Sequence, residues 1–243
     1  MSVKLPKITL IRGSTQCILH GTVHVGTTEM YSYFKKETDV AIHSGTIFFY
    51  EGIDNGDDLD PKPSYEEYQI ADAVAFLLDQ IVVIADRYES LEETSEMARF
   101  QDCGIVADAT FQQLVRKLYE VGWHCTQHFR SVQQEMEDEK SRLEKEPSYL
   151  GATSPDDAWE KLPFMSKLFM TLYGTVLHCI EYRFNRIFVD WRNEVAVKII
   201  EETISTSSAS KVLIHYGVDH IKGIQKLLVR HGWSVTKTET IFF

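Results

Sequence analysis

The chain has 243 residues, 44 % of them hydrophobic, so it can bury a sizeable core, and disorder is excluded as a description of most of it. Its 36 acidic and 25 basic side chains give a formal charge of −11, which repels a phosphate backbone and an anionic membrane surface and argues against nucleic acid as a partner. No eighteen apolar residues run together to span a membrane, and MSVKLPKITLIRG has neither an apolar h-region nor a small-residue cleavage site, so the expectation is a cytoplasmic protein. Cys17, Cys103, Cys125 and Cys179 lack CxxC spacing and read as reduced, mostly buried thiols.

In chain order, KITLIR and TQCILH are β-rich runs separated by Gly13-Ser14, which predicts a hairpin whose second strand ends at Gly21. Thr28 to His43 carries Met30, Tyr31, Phe34, Val40 and Ala41 at helical spacing, with Gly45 placed as a C-terminal cap. TIFFYEGI is a second buried strand, and the polar loop DNGDDLDPKPS follows it. From Ser64 onward the pattern is helical for more than a hundred residues. Ser64 and Glu67 are spaced as a capping box before an apolar helix, VQQEMEDEKSRLEKE reads as a solvated helix end before Pro147, and Ser154-Pro155-Asp156 reads as a helix start. Helix resumes through FVDWRNEVAVKIIEETI. Strand KVLIHY, helix DHIKGIQKLLVRHG and strand WSVTKTETIFF close the chain, and this order can set the terminal strands beside the opening ones. The fold class expected is α/β (mixed), a single domain over 1–243. Its central sheet comes from the two ends of the chain, with a helical insertion at roughly 64–185.

ILHGTVHVG near the start is echoed by LIHYGVDHIKG near the end. Each is an apolar strand, then Gly-x-x-His, then a segment able to start a helix. A glycine lets the chain turn, and His24 or His220 then projects at the strand's carboxyl end, where open α/β sheets hold ligands. Glu51 occupies the equivalent place after IFFY. Two imidazoles and a carboxylate suffice to bind a divalent transition metal such as manganese, cobalt or zinc with a position left for water, so His24, Glu51 and His220 are the candidate metal ligands.

The set GTVH at 21–24, FFYEGI at 48–53, DWRNEVAVKII at 190–200 and YGVDHIKGI at 216–224 resembles the TraB/PrgY family, which includes the GumN and TIKI proteins. The resemblance covers the first fifty residues and the last sixty. It implies a mixed α/β fold with tandem strand-and-helix halves, a metal-dependent hydrolase, and a peptide or protein substrate by analogy with the TIKI branch. On this resemblance the family's functional residues fall on His24, Glu51, Arg192 and His220. Glu51 is then either a ligand or the general base. Arg192, in a helix whose neighbours Val189, Val195 and Ile199 read as core-facing, either stabilises an oxyanion or forms a salt bridge that holds Glu51 or Asp190. Asn193 assists either role.

Other groupings rank lower. His124 and His128 in WHCTQH would share a helix face, but the glutamate of an HExxH site is missing. His20 and His215, each just ahead of a Gly-x-x-His glycine, are turned away from the site by strand alternation or support it from behind. Asp54, Asp57, Asp58 and Asp60 do not make an EF-hand, since the sixth place lacks glycine and the twelfth is Tyr65. Asp102 and Asp108 suggest only local caps or pairs. No GxSxG elbow, P-loop or GxGxxG fingerprint is present. Two functions remain open: a metal-dependent hydrolase, or a regulatory protein that holds a peptide or small ligand in the same cleft without turnover. Homo-oligomerisation is left open as well.

Overall fold

The computed structural model describes residues 4–23, 28–52, 63–87, 104–145 and 186–243. Apolar alternation in KLPKITLIR and TQCILHGT produces β1 (Lys4–Arg12) and β2 (Thr15–Thr22), an antiparallel pair joined through Gly13 at φ 59°, a left-handed conformation that favours glycine. Four more strands complete the sheet: β3 (Ile47–Tyr50), β4 (Ile105–Val106), β5 (Lys211–Gly217) and β6 (Ser234–Phe242). Their order is β4-β3-β5-β2-β1-β6. β5 runs parallel to both β2 and β3, β4 runs parallel to β3, and β1 is antiparallel to β2 and β6. The protein is therefore mixed α/β, and its last strand lies beside its first, as the sequence predicts.

Helices cover both faces of this sheet. Helix α1 (Thr28–His43) sets Met30, Tyr31 and Phe34 against Leu5, and Ala41 against Phe48, Tyr50 and Leu213. The alternate residues Phe49, Val212, Ile214 and Tyr216 face the other way and pack with Ala196, Val197, Ile200, Ile221, Ile224 and Leu228. Buried on both faces, β5 carries the uninterrupted run VLIHYG.

The chain divides into two compact units, Met1–Asn55 with Ser90–Thr110 and Phe188–Phe243, and Gly56–Glu89 with Phe111–Ile187. In the second unit, α2 (Tyr65–Arg87) packs against α3 (Phe111–Glu120) and α4 (Gln127–Lys145), with Ile70, Val74, Leu114, Leu118, Trp123 and Phe129 buried. The capping box forms: the Glu67 carboxylate accepts from Ser64 N–H at 2.8 Å, and Ser64 Oγ accepts from Glu67 N–H at 3.2 Å.

Three expectations are corrected. The stretch after Ser64 is not helical throughout, because GIVAD supplies β4 and returns the chain to the sheet edge beside β3. His124 lies in the 3₁₀ turn Trp123–Cys125 and stacks on Tyr119, whereas His128 opens α4 and its Nδ1 accepts from Trp123 Nε1–H at 3.2 Å; they do not form a pair on one helix. Cys17 is buried but Cys125 is exposed. Cys103, Cys179, Asp102, the Asp54 to Asp60 loop and the segment starting at Ser154 lie outside the described residues. No helix among the described residues is long and apolar enough to cross a membrane.

Ile214 is fully buried at the centre of the sheet. Ile214→Ala is expected to cost about 2–5 kcal/mol, read as a lower midpoint in urea denaturation.

Candidate functional site

At the carboxyl ends of β3 and β5 the hydrogen-bond ladder runs one residue further, with Glu51 N–H donating to His215 C=O at 3.0 Å. This fixes the backbone from which the Glu51 side chain projects. Its Oε2 accepts from Gly217 N–H at 2.6 Å, and its Oε1 accepts from Arg192 Nη2–H at 2.7 Å. Gly217 directly precedes α6 (Val218–Arg230), so the carboxylate sits at a helix N-terminus, where negative charge is stabilised. Gly217 has φ −50° and no special turn geometry; its importance is room, since a Cβ there would lie 2.7 Å from Glu51 Oε2.

Arg192 opens α5 (Arg192–Thr206) immediately after the π-helical turn Arg186–Trp191. Its Nε–H donates to Asp108 Oδ1 at 2.9 Å, Nη2–H donates to Asp108 Oδ2 as well as to Glu51, and Nη1–H reaches Phe188 C=O at 3.4 Å. Asp108 itself follows β4, is fully shielded in its side chain, and accepts from Ala109 N–H at 2.7 Å. Burial opposes the charge on Arg192, but Asp108 and Glu51 outweigh it and hold the guanidinium firmly protonated. The buried stripe of α5 is Arg192, Asn193, Ala196, Val197, Ile200 and Ile204; Ile199 is partly buried and packs against the same core, and Val189 and Val195 are partly buried. Asp190 is exposed and is not the partner of this guanidinium in these bonds.

His220, in the first turn of α6, is tied to the residue beside Arg192. Its Nδ1–H donates to Asn193 Oδ1 at 2.8 Å. That bond leaves the lone pair on Nε2, which lies 3.5 Å from Glu51 Oε1. Burial pushes the His220 pKa below its ordinary value despite the nearby Glu51 carboxylate, so the ring is neutral at neutral pH. Tyr216 packs edge-on against the His220 ring at 5.0 Å, and burial, with Asp108 and Glu51 nearby, raises its phenol well above the ordinary range. Asn193 also meets α6 closely, for a Cβ on Gly223 would lie 2.2 Å from its Nδ2.

Of the four residues expected from sequence, Glu51, Arg192 and His220 come together. His24 lies outside the described residues, and β2 ends at Thr22, opposite Gly217. Asp108 was missed, although its setting in GIVAD, an acid right after a short apolar run, repeats that of Glu51 in IFFYE. His20 and His215 are turned to the α1 face. Both bond Glu37 there: His20 Nδ1–H at 2.7 Å and His215 Nε2–H at 3.0 Å, each to Oε2. Burial depresses the His215 pKa. Burial also opposes the Glu37 charge, but the two imidazole bonds outweigh it and drive that carboxyl below the usual range.

No protein-family model matches the chain, and neither a curated protein nor a solved structure matches it. What the site can do therefore follows from its own geometry. A neutral imidazole lone pair and a carboxylate oxygen converge at 3.5 Å, and two carboxylates around one guanidinium leave the cluster one negative charge. Such a pair can take a proton from water or bind a cation.

Two outcomes are expected here. Asp108→Ala strands a buried guanidinium and lowers stability by about 3–5 kcal/mol, measured by urea unfolding. His215 and His220 are held below an imidazole's ordinary pKa of about 6.5. The unfolded chain therefore binds more protons just below that pH, and stability falls as pH drops through it. Glu37, depressed from about 4.5, adds a further loss in more acid solution. Denaturation midpoints taken from neutral to acid pH check both parts.

Proposed function

We propose that the chain is a hydrolase that activates water at the carboxyl ends of β3 and β5, with peptide bonds as the substrate class suggested by the TraB/PrgY resemblance. The observation that carries this reading is His220: its proton is fixed on Nδ1 by Asn193, which leaves the lone pair on Nε2, 3.5 Å from Glu51 Oε1. With no ion bound, His220 takes the proton from water; the same Nε2 lone pair would be the one that holds a metal, so these two roles are alternatives. Glu51, held by Gly217 N–H and Arg192, orients that water and offsets the imidazolium charge that develops. Arg192 is a positioning residue, since its donors are engaged by Asp108, Glu51 and the Phe188 carbonyl.

The donor set fits a divalent metal in two respects. Asn193 orients His220 as the outer partners of metal-binding histidines do, and the cluster carries net negative charge. The described residues supply Glu51 and His220, and His24 is the third ligand added by the sequence. Bound there, a metal would supply Lewis acidity toward water and toward the scissile carbonyl.

The test is hydrolysis of fluorogenic peptides by the purified chain with manganese, cobalt or zinc added. His220→Ala is expected to lower kcat about 10²–10⁴-fold, and Asn193→Ala about 10–100-fold, with the fold retained by circular dichroism. Gly217→Ala, which displaces the Glu51 carboxylate, is expected to lower activity in the same direction. A wild-type chain that turns over no peptide, ester or amide with any of the three metals is instead a ligand-holding protein.

A further inference from the structure

The second cluster of titratable side chains lies on the opposite face of the sheet from Glu51 and His220. His20 and His215 are register partners on the adjacent parallel strands β2 and β5, so both imidazoles stand on the same face, one strand spacing apart. Glu37 comes down onto them from α1. The ligand-capable atoms of the three residues lie within 4.8 Å of one another, and among the described residues this is the group of three or more such side chains that converges. The two rings aim different nitrogens, Nδ1 of His20 and Nε2 of His215, at one oxygen, Glu37 Oε2.

The surroundings hold this geometry. Phe34 packs 4.8 Å from the His20 ring and 5.1 Å from the His215 ring, and Phe48 packs 5.1 Å from His215 on another side. Lys7 bonds the other carboxylate oxygen, Oε1, and its Nζ also donates to Tyr33 Oη at 3.1 Å. Glu37 is thus divided, with one oxygen on an ammonium that orients it and one on the imidazoles. This is the outer-partner arrangement of a monodentate carboxylate ligand. Glu37 also lines a groove of about 440 Å³ between α1 and strands β2 and β5, walled by Ile18, Val40, Ala41 and Leu213. The groove supplies an entry path.

We infer that His20, Glu37 and His215 bind one divalent transition metal ion of the zinc class, separate from the water-activating site. Two imidazoles and one carboxylate are the ligand set of an open metal site, and the carboxylate among them lines the groove. Binding needs no proton to leave the protein: each neutral ring moves its proton to its other nitrogen and presents the lone pair where an N–H now points. β2 and α1, near one end of the chain, are then tied to β5, near the other, through one ion.

Titration of the full chain with zinc and cobalt chloride tests this, alongside Glu37→Gln, His20→Ala and His220→Ala chains. One equivalent is expected at this site, with affinity reduced at least about tenfold in the Glu37→Gln and His20→Ala chains and unchanged in His220→Ala. Any equivalent lost only in His220→Ala belongs to the water-activating site, so the two readings fail separately. A wild-type chain that binds neither ion at millimolar concentration overturns the inference, as does binding that survives Glu37→Gln. Should the buried substitutions unfold the chain, zinc-edge anomalous scattering from zinc-soaked wild-type crystals decides the matter. A peak among His20, Glu37 and His215 supports the site, and a peak elsewhere or none overturns it.

Discussion

Arg192 is desolvated between two carboxylates, and the candidate site takes its shape from that fact. A guanidinium out of water is tolerable only when its planar donors are met, and Asp108 and Glu51 meet them together, sharing Nη2. The consequence is positional. The end of β3, the segment after β4 and the first turn of α5 are fixed to one another by a single side chain. The next residue, Asn193, sets the tautomer of His220, so two consecutive residues of α5 fix the carboxylate and the imidazole. Gly217 completes the arrangement by leaving space for Glu51 at the start of α6. An interaction of this kind adds little net stability over a well-packed apolar alternative, and its value is in specifying one arrangement.

Much of this was legible wherever the signal is local. The hairpin at Gly13, the bounds of α1, the capping box at Ser64 and the strand-helix-strand close of the chain all rest on residues a few positions apart. Glu51 and His220 were found because each follows an apolar strand. Asp108 escaped because β4 has only two residues and lies in a stretch whose period reads as helix. Arg192 and Asn193 were read as reaching the site, but the bonds they make there escaped local reading because the partners, Asp108 and His220, lie 84 and 27 residues away. Glu37 sits in KKETD, which has the look of a solvated helix face, and the histidine that buries it is 178 residues distant.

One strand serves both clusters. The pleat of β5 sends His215 to the α1 face and Tyr216 to the face where His220 and Asp108 lie, so neighbouring residues support separate chemistries without touching. On each face burial keeps an imidazole neutral and poised beside a carboxylate. The difference lies in the cation that balances the carboxylate: on one face it is the planar fork of Arg192, on the other the single ammonium of Lys7.

The position of β5 in the sheet also governs how the protein is made. β1 and β2 can pair as soon as they leave the ribosome, and β3 and β4 can pair once Val106 has emerged, yet these two pairs have no edge in common. Only β5 borders both, and it begins at Lys211. Until β5 is made, the nascent chain therefore presents an open edge on β2 and another on β3, both awaiting the same insert. Such edges invite pairing with other chains, and closure through contacts this distant in sequence is slow. Closure of the sheet therefore waits for a strand distant in sequence, and a chain lacking β5 would be left with two unmatched halves.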